Sequence, residues 1–287
     1  MQQSAPRILT TTDHDRASAG LTYVYPVVSR RANGVSVGIN LNTNNACNWR
    51  CIYCQVPGLQ RGAAPAVDLA LLRKELREFL ERLLHGGFLA ERVPEAARRL
   101  SDIALSGNGE PTSAKQFEQV IDLIAEVRRE VGVQTDVKTV LITNGSLIQR
   151  PEVRVGVEKL RAISGEMWFK LDRASSAGMR LINGTRLGMK RVAENLEIAA
   201  RACPTWLQTC LFALDGLPPT EQEQREYLGF VSARLAAGVP LRGVLLYGLA
   251  RKSQQPEAAR LSSLPPAWLE EFAARLRALG VPVRVTP

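Results

Sequence analysis

Histidine is scarce in this 287-residue chain: His14 and His85 are the only two. A zinc site built on imidazole, or a catalytic triad that needs one, is therefore poorly supplied. Cysteine is sparse as well. There are five, at positions 47, 51, 54, 203 and 210, and none stands before Cys47. An odd number without a secretion signal argues against a disulfide framework. No apolar run approaches the roughly 20 residues that a membrane-spanning helix requires. The first twenty residues, MQQSAPRILTTTDHDRASAG, are polar and contain no apolar core of the kind a secretory leader carries. A cytoplasmic location and no membrane partner are the resulting expectations. Internal repeats, low-complexity tracts and long Lys/Arg blocks are also missing, as is any RNA-binding module signature.

What is present suits a globular enzyme-sized unit. Apolar residues make up 45% and charged residues 23%, ordinary proportions for a packed domain. The formal net charge is +9 and the sequence pI is about 9.7. This charge suits a polyanionic partner such as RNA. It is equally explained by a solvated basic surface, because arginines are spread along the whole chain. Residues 1–22 read as a loose arm, and residues 23–287 read as one domain.

Beyond the arm, short apolar runs alternate with amphipathic stretches. Strands are expected at 35–42, 102–106, 139–143, 167–171, 206–212, 244–247 and 281–285. Helices are expected at 69–84, 115–131, 152–160, 189–201, 227–237 and 266–279. The helix at 69–84 places Leu69, Leu72, Leu76, Phe79, Leu80 and Leu83 on one face, with Asp68 as its N-cap. Strands and helices alternating at this spacing form βαβ units on a parallel sheet. About six such units predict an α/β fold, a partial (β/α)6 TIM-like barrel of parallel strands with outer helices. Ligands of such folds sit beyond the C-terminal ends of the strands. The segments in those places are polar or glycine-rich: the cysteine loop, Gly107-Asn108-Gly109-Glu110, Thr143-Asn144-Gly145, Asp172-Arg173 and Gly248.

Residues 47–54 read Cys-Asn-Trp-Arg-Cys-Ile-Tyr-Cys, a C-x3-C-x2-C spacing. Three neighbouring thiolates are soft ligands that suit an iron–sulfur cluster or zinc. With no fourth cysteine nearby, one iron of a [4Fe–4S] cluster stays open to a substrate or cofactor. The competing reading is a zinc staple completed by a distant fourth ligand. Cys203 and Cys210 read as buried thiols. Gly107–Pro111 or Asn144-Gly145 alone would be plain turns, Lys170 and Asp172 alone a solvated pair, and Tyr53 alone a core aromatic.

Taken together, the cysteine motif after the first strand and the glycine-rich turns that follow in order resemble the radical S-adenosylmethionine (radical SAM) superfamily. The resemblance implies that Cys47, Cys51 and Cys54 hold the cluster and that its open iron chelates the amino and carboxylate groups of S-adenosylmethionine. Reductive cleavage then yields methionine and a 5′-deoxyadenosyl radical that takes hydrogen from a substrate. It further implies cofactor contacts at Tyr53 beside the adenine, at Gly107, Asn108, Gly109 and Glu110 around the ammonium, at Asn144, and at Lys170 and Asp172. Asn108 departs from the superfamily's Gly-Gly-Glu-Pro stretch. A reductant such as flavodoxin or ferredoxin is the implied electron donor. The segments 25–31, 35–40 and 47–55 are similar to the wybutosine-type group, the tRNA 4-demethylwyosine synthases, which carry additional N-terminal cysteines that this chain lacks. RNA is thus one candidate substrate among several. A glycyl-radical-enzyme activase, or a non-enzymatic iron–sulfur or zinc module that binds nucleic acid, would fit the same residues.

Overall fold

The computed structural model describes residues 8–10, 19–29 and 34–287. Most of the expected N-terminal arm therefore lies outside the described residues, as do Arg30 and Arg31. Within that stretch, Leu9 is buried and its backbone N–H donates to the Arg92 carbonyl at 2.8 Å.

One eight-stranded sheet organises the molecule, and its strands lie side by side in chain order: β1 Val24–Ser29, β2 Gly34–Ile39, β3 Leu100–Leu105, β4 Lys138–Thr143, β5 Gly165–Lys170, β6 Thr205–Cys210, β7 Leu241–Tyr247 and β8 Val283–Thr286. From β2 to β8 every neighbouring pair is parallel. The six crossovers between them carry the helices α1 Leu69–His85, α2 Phe117–Val131, α3 Pro151–Ala162, α4 Ser176–Asn183, α5 Met189–Ala202, α6 Glu221–Ala236 and α7 Pro266–Arg277. This is the expected partial barrel, with one addition. β1 pairs antiparallel with β2 at the sheet edge, where Pro26 is tolerated because an edge strand need not donate every N–H. Helix α4 is a further element that the sequence pattern does not predict, and α6 begins at Glu221 rather than 227. The start of α6 is set by a capping box, in which Thr220 and Glu223 satisfy each other's backbone N–H groups. Among the described residues no helix is long and apolar enough to cross a membrane.

The inner strands β2 to β7 are largely buried on both faces, as parallel strands with helical crossovers must be, whereas the edge strand β8 has no buried residue. Ile103, Leu105, Met167, Phe169 and Leu207 pack outward into the main core beneath the helices. The alternate residues Asp102, Ala104, Trp168, Lys170, Gln208 and Cys210 face a cavity inside the curl of the sheet. Helix α1 buries Leu72, Leu76, Phe79, Leu80 and Leu83, each contributing about 1.5–3 kcal/mol by leaving water. Glu75 interrupts that apolar face for a reason. Its carboxylate accepts hydrogen bonds from the backbone N–H groups of Thr22 and Tyr23, both at 2.8 Å, and of Val24 at 3.3 Å, and so fixes the entry into β1.

Candidate active site

The interior cavity has a volume of about 320 Å³ and opens at the C-terminal ends of the strands. Its lining includes Cys47, Cys51, Cys54, Tyr53, Gly107, Asn108, Gly109, Glu110, Asn144 and Lys170. Segments far apart in sequence thus meet at one mouth, as the order of strands along a parallel sheet dictates. Asp172 does not line the cavity. It is buried just behind the wall, where Oδ2 accepts from the Tyr53 hydroxyl at 2.5 Å and the Asn183 amide at 2.6 Å, and Oδ1 accepts from the Cys210 N–H at 2.8 Å. Both of its carboxylate oxygens are turned onto these protein donors.

The cysteine loop is held from both sides by distant segments. Arg50 and Ile52 donate backbone N–H groups to the carbonyls of Asn183 and Ile182, at 3.0 and 2.9 Å. These carbonyls belong to the last turn of α4, where a helix has no donor of its own to satisfy them. Gly184, with φ +59°, ends that helix in the left-handed conformation. From the other side, Ser253 donates its hydroxyl to the Ile52 carbonyl at 2.8 Å, Gln254 its N–H to Cys54 O at 2.9 Å, and Gln255 its amide to Val56 O at 3.0 Å. Arg61 donates to Asn48 O at 2.6 Å and also to Gly184 O. Arg50 makes a two-pronged contact with Glu257 at 2.7 and 2.9 Å. Both arginines are thus committed to shaping the loop.

All five cysteines are free thiols. Among the described residues, no three His, Cys, Asp or Glu side chains converge closely enough to hold a single metal ion. This is compatible with a cluster, because each cysteine then binds a different iron and the sulfurs need not converge on one point. Cys47 and Cys51 are pushed up by burial, to about 11 and about 12, so loading a metal there must displace protons. Two N–H groups already point at sulfur: Trp49 N to Cys47 Sγ at 3.4 Å, and Asn183 Nδ2 to Cys51 Sγ at 3.3 Å. Cys210 is buried and lines the cavity, whereas Cys203 lies in the core away from it.

The glycine-rich turn is dictated by close approach. A Cβ on Gly109 would meet the Ala46 carbonyl at 2.1 Å, and one on Gly107, where φ is +147°, would meet Asn40 Oδ1 at 2.3 Å. Glycine therefore brings this turn against the cysteine loop. Asn108 donates to Asn45 Oδ1 at 2.6 Å, while its own Oδ1 is buried without a partner. Glu110 is 2% exposed. Oε1 accepts from Thr112 N at 3.2 Å, Thr112 Oγ1 at 2.6 Å and Thr143 Oγ1 at 2.5 Å; Oε2 accepts from Asn144 N at 2.7 Å. Oε1 thus carries three of these bonds and Oε2 one, so Oε2 is the less saturated oxygen of a side chain that lines the cavity. Burial pushes Glu110 above the usual carboxylate range, opposed by the bonds from Thr112, Thr143 and Asn144. Asn144 also donates to Asn48 Oδ1 at 2.8 Å, tying the turn after β4 to the cysteine loop. Lys170 reaches the Tyr247 hydroxyl at 3.3 Å and stands 5.0 Å from the Tyr53 ring centroid.

No family model matches the chain. It is 30% identical over 129 residues to the GTPase Obg of Brachyspira hyodysenteriae, covering 45% of this chain and 16% of that protein. It is 27% identical over 152 residues to a UPF0026 protein of Helicobacter pylori, covering 51% of this chain and 41% of the relative. The chain thus spans less than half the length of these curated relatives. Among solved structures it is similar to HydG, a maturase of the [FeFe]-hydrogenase, with a TM-score of 0.52 and 11% identity over 89% of this chain and 57% of that one. It is also similar to a point mutant of spore photoproduct lyase, with a TM-score of 0.51 and 12% identity over 84% of this chain and 74% of that one. At this identity the likeness is one of fold alone: a curled, mostly parallel half-barrel sheet flanked by helices.

Proposed function

We propose that this chain is a radical SAM enzyme. The observation that carries the reading is the convergence of Cys47, Cys51 and Cys54 with Glu110 on one cavity, at the end of the sheet where ligands of such folds bind. The three cysteines hold one [4Fe–4S] cluster and leave one iron for S-adenosylmethionine. Glu110 accepts the cofactor's ammonium on Oε2, and the Gly107–Gly109 backbone flanks it. Asn144 and Lys170 close the remaining polar contacts. Tyr53 offers its backbone to the adenine while Asp172 holds its hydroxyl. When bound and reduced by flavodoxin or ferredoxin, the cluster supplies the electron that splits S-adenosylmethionine into methionine and a radical able to take hydrogen from a substrate. RNA is the substrate class that the net charge of +9 supports.

The test is anaerobic reconstitution followed by incubation with dithionite and S-adenosylmethionine. About four irons and four sulfides per chain are expected, with release of 5′-deoxyadenosine. Cys51→Ala should abolish both, while Cys203→Ala and Cys210→Ala should keep the iron. A colourless, zinc-loaded protein that releases no 5′-deoxyadenosine would sink the proposal in favour of a binding module.

A further inference from the structure

We infer that Asn183 is a potential-setting residue: its side-chain amide donates a hydrogen bond to the Cys51 sulfur and makes a cluster held there easier to reduce. The inference rests on the cluster reading above and adds to it a residue outside the cysteine loop. Asn183 is the last residue of α4 and is fully buried. Its Nδ2 donates to Cys51 Sγ at 3.3 Å and to Asp172 Oδ2 at 2.6 Å, while its Oδ1 is buried with no partner. The orientation of the amide is forced. Turned the other way, the carbonyl oxygen would face the Asp172 carboxylate, an acceptor with no hydrogen to offer, and the short bond at 2.6 Å would be lost. Asp172 is itself fixed by Tyr53 and by the Cys210 N–H, so the donor cannot swing away. An orphaned buried carbonyl is a cost that native proteins seldom retain without a reason. Here the orphan is what remains when both amide hydrogens are spent on Asp172 and Cys51.

The effect has a definite sign. Adding an electron makes the cluster and its thiolates more negative, and an N–H pointed at sulfur stabilises the more negative state. Hydrogen bonds to the sulfurs are among the levers that set such potentials. In a buried site, with little water to screen it, the bond counts for more than it would at the surface.

The experiment is a redox titration of the reconstituted protein followed by its electron paramagnetic resonance signal, comparing wild type with Asn183→Leu, Asn183→Ala and Tyr53→Phe. Asn183→Leu should lower the ratio of reduced to oxidised cluster about tenfold at a fixed poise, a shift of roughly 59 mV for one electron. An exchangeable-proton coupling present in the wild-type signal should disappear in the same variant. Should Asn183→Leu fail to fold, Asn183→Ala decides the matter through the same proton coupling and a midpoint shifted in the same direction. Tyr53→Phe also strips a donor from Asp172 but leaves the Cys51 contact intact, so it should shift the midpoint less. An unchanged midpoint in iron-replete Asn183 variants, or an equal shift in Tyr53→Phe, overturns the inference while leaving the enzyme reading in place. A wild-type protein that takes up no cluster overturns both.

Discussion

Glu110 carries four hydrogen bonds in a buried setting, and this fixes how its binding should depend on pH. The carboxylate must be ionised to meet an ammonium. Burial raises its pKa, so S-adenosylmethionine affinity should begin to fall, as pH drops, sooner than with an ordinary glutamate. Thr143→Val removes one donor to the ionised form and should move that loss to still higher pH. Glu110→Ala should weaken binding roughly 10- to 150-fold, the equivalent of one charge-assisted hydrogen bond of about 1.5–3 kcal/mol, with the cluster intact. Calorimetric titration across pH measures both; an unchanged affinity for Glu110→Ala would remove the residue from the cofactor site. The cysteines and Glu110 can be read in the sequence because each sits in a short motif whose spacing is itself the signal. Asn183 and the inward role of Asp172 cannot. Their contacts cross 119 and 132 residues, and a lone Asn before Gly184 looks like nothing more than the end of a helix.

Among the elements, those with a full turn of periodic apolar residues are legible to within a few positions, such as α1, α2 and the strands β3 to β7. Helix α4 is not, because eight residues containing Gly178 give barely two turns of pattern, and Ser175, its N-cap, has no capping-box partner. Strand β1 is hidden because Pro26 interrupts it, and the edge position that tolerates proline is a property of the sheet. Glu75 is invisible as an anchor for the same kind of reason: on the α1 pattern it is only a polar residue within an apolar face. Glu75→Ala leaves three backbone N–H groups, two of them on the buried Tyr23 and Val24, without their acceptor. It should cost about 3 kcal/mol or more in denaturant unfolding, with Glu75→Gln losing less. Wild-type stability in Glu75→Ala would show that β1 is held by its pairing with β2 alone.

Across the whole molecule, charge is unevenly placed. The loops at the cavity end, residues 40–68, 106–116, 144–150, 171–175, 184–188, 211–220 and 248–265, hold nine arginines and lysines against five carboxylates, of which Glu110 and Asp172 are buried. The described loops entering the parallel strands, residues 93–99, 132–137, 163–164, 203–204, 237–240 and 278–282, hold Arg98 and Arg99 against Glu95 and Asp136. Composition reveals the excess charge but not the end of the barrel that carries it. Bulk tRNA should therefore bind with an affinity that falls steeply with salt, and replacing Arg186 and Lys252 together by alanine should flatten the slope by about two. A salt-independent or absent interaction in filter binding would take RNA off the list of substrates. The bonds that join the cysteine loop to Ser253 and Gln255 span 201 residues, and this has a consequence in time. At roughly 5–20 residues per second, a ribosome needs about 10–40 s to travel from one partner to the other. Throughout that interval the three thiols have emerged but their cradle has not. The nascent chain therefore presents them to oxidants and stray metals before Ser253 and Gln255 can enclose their loop.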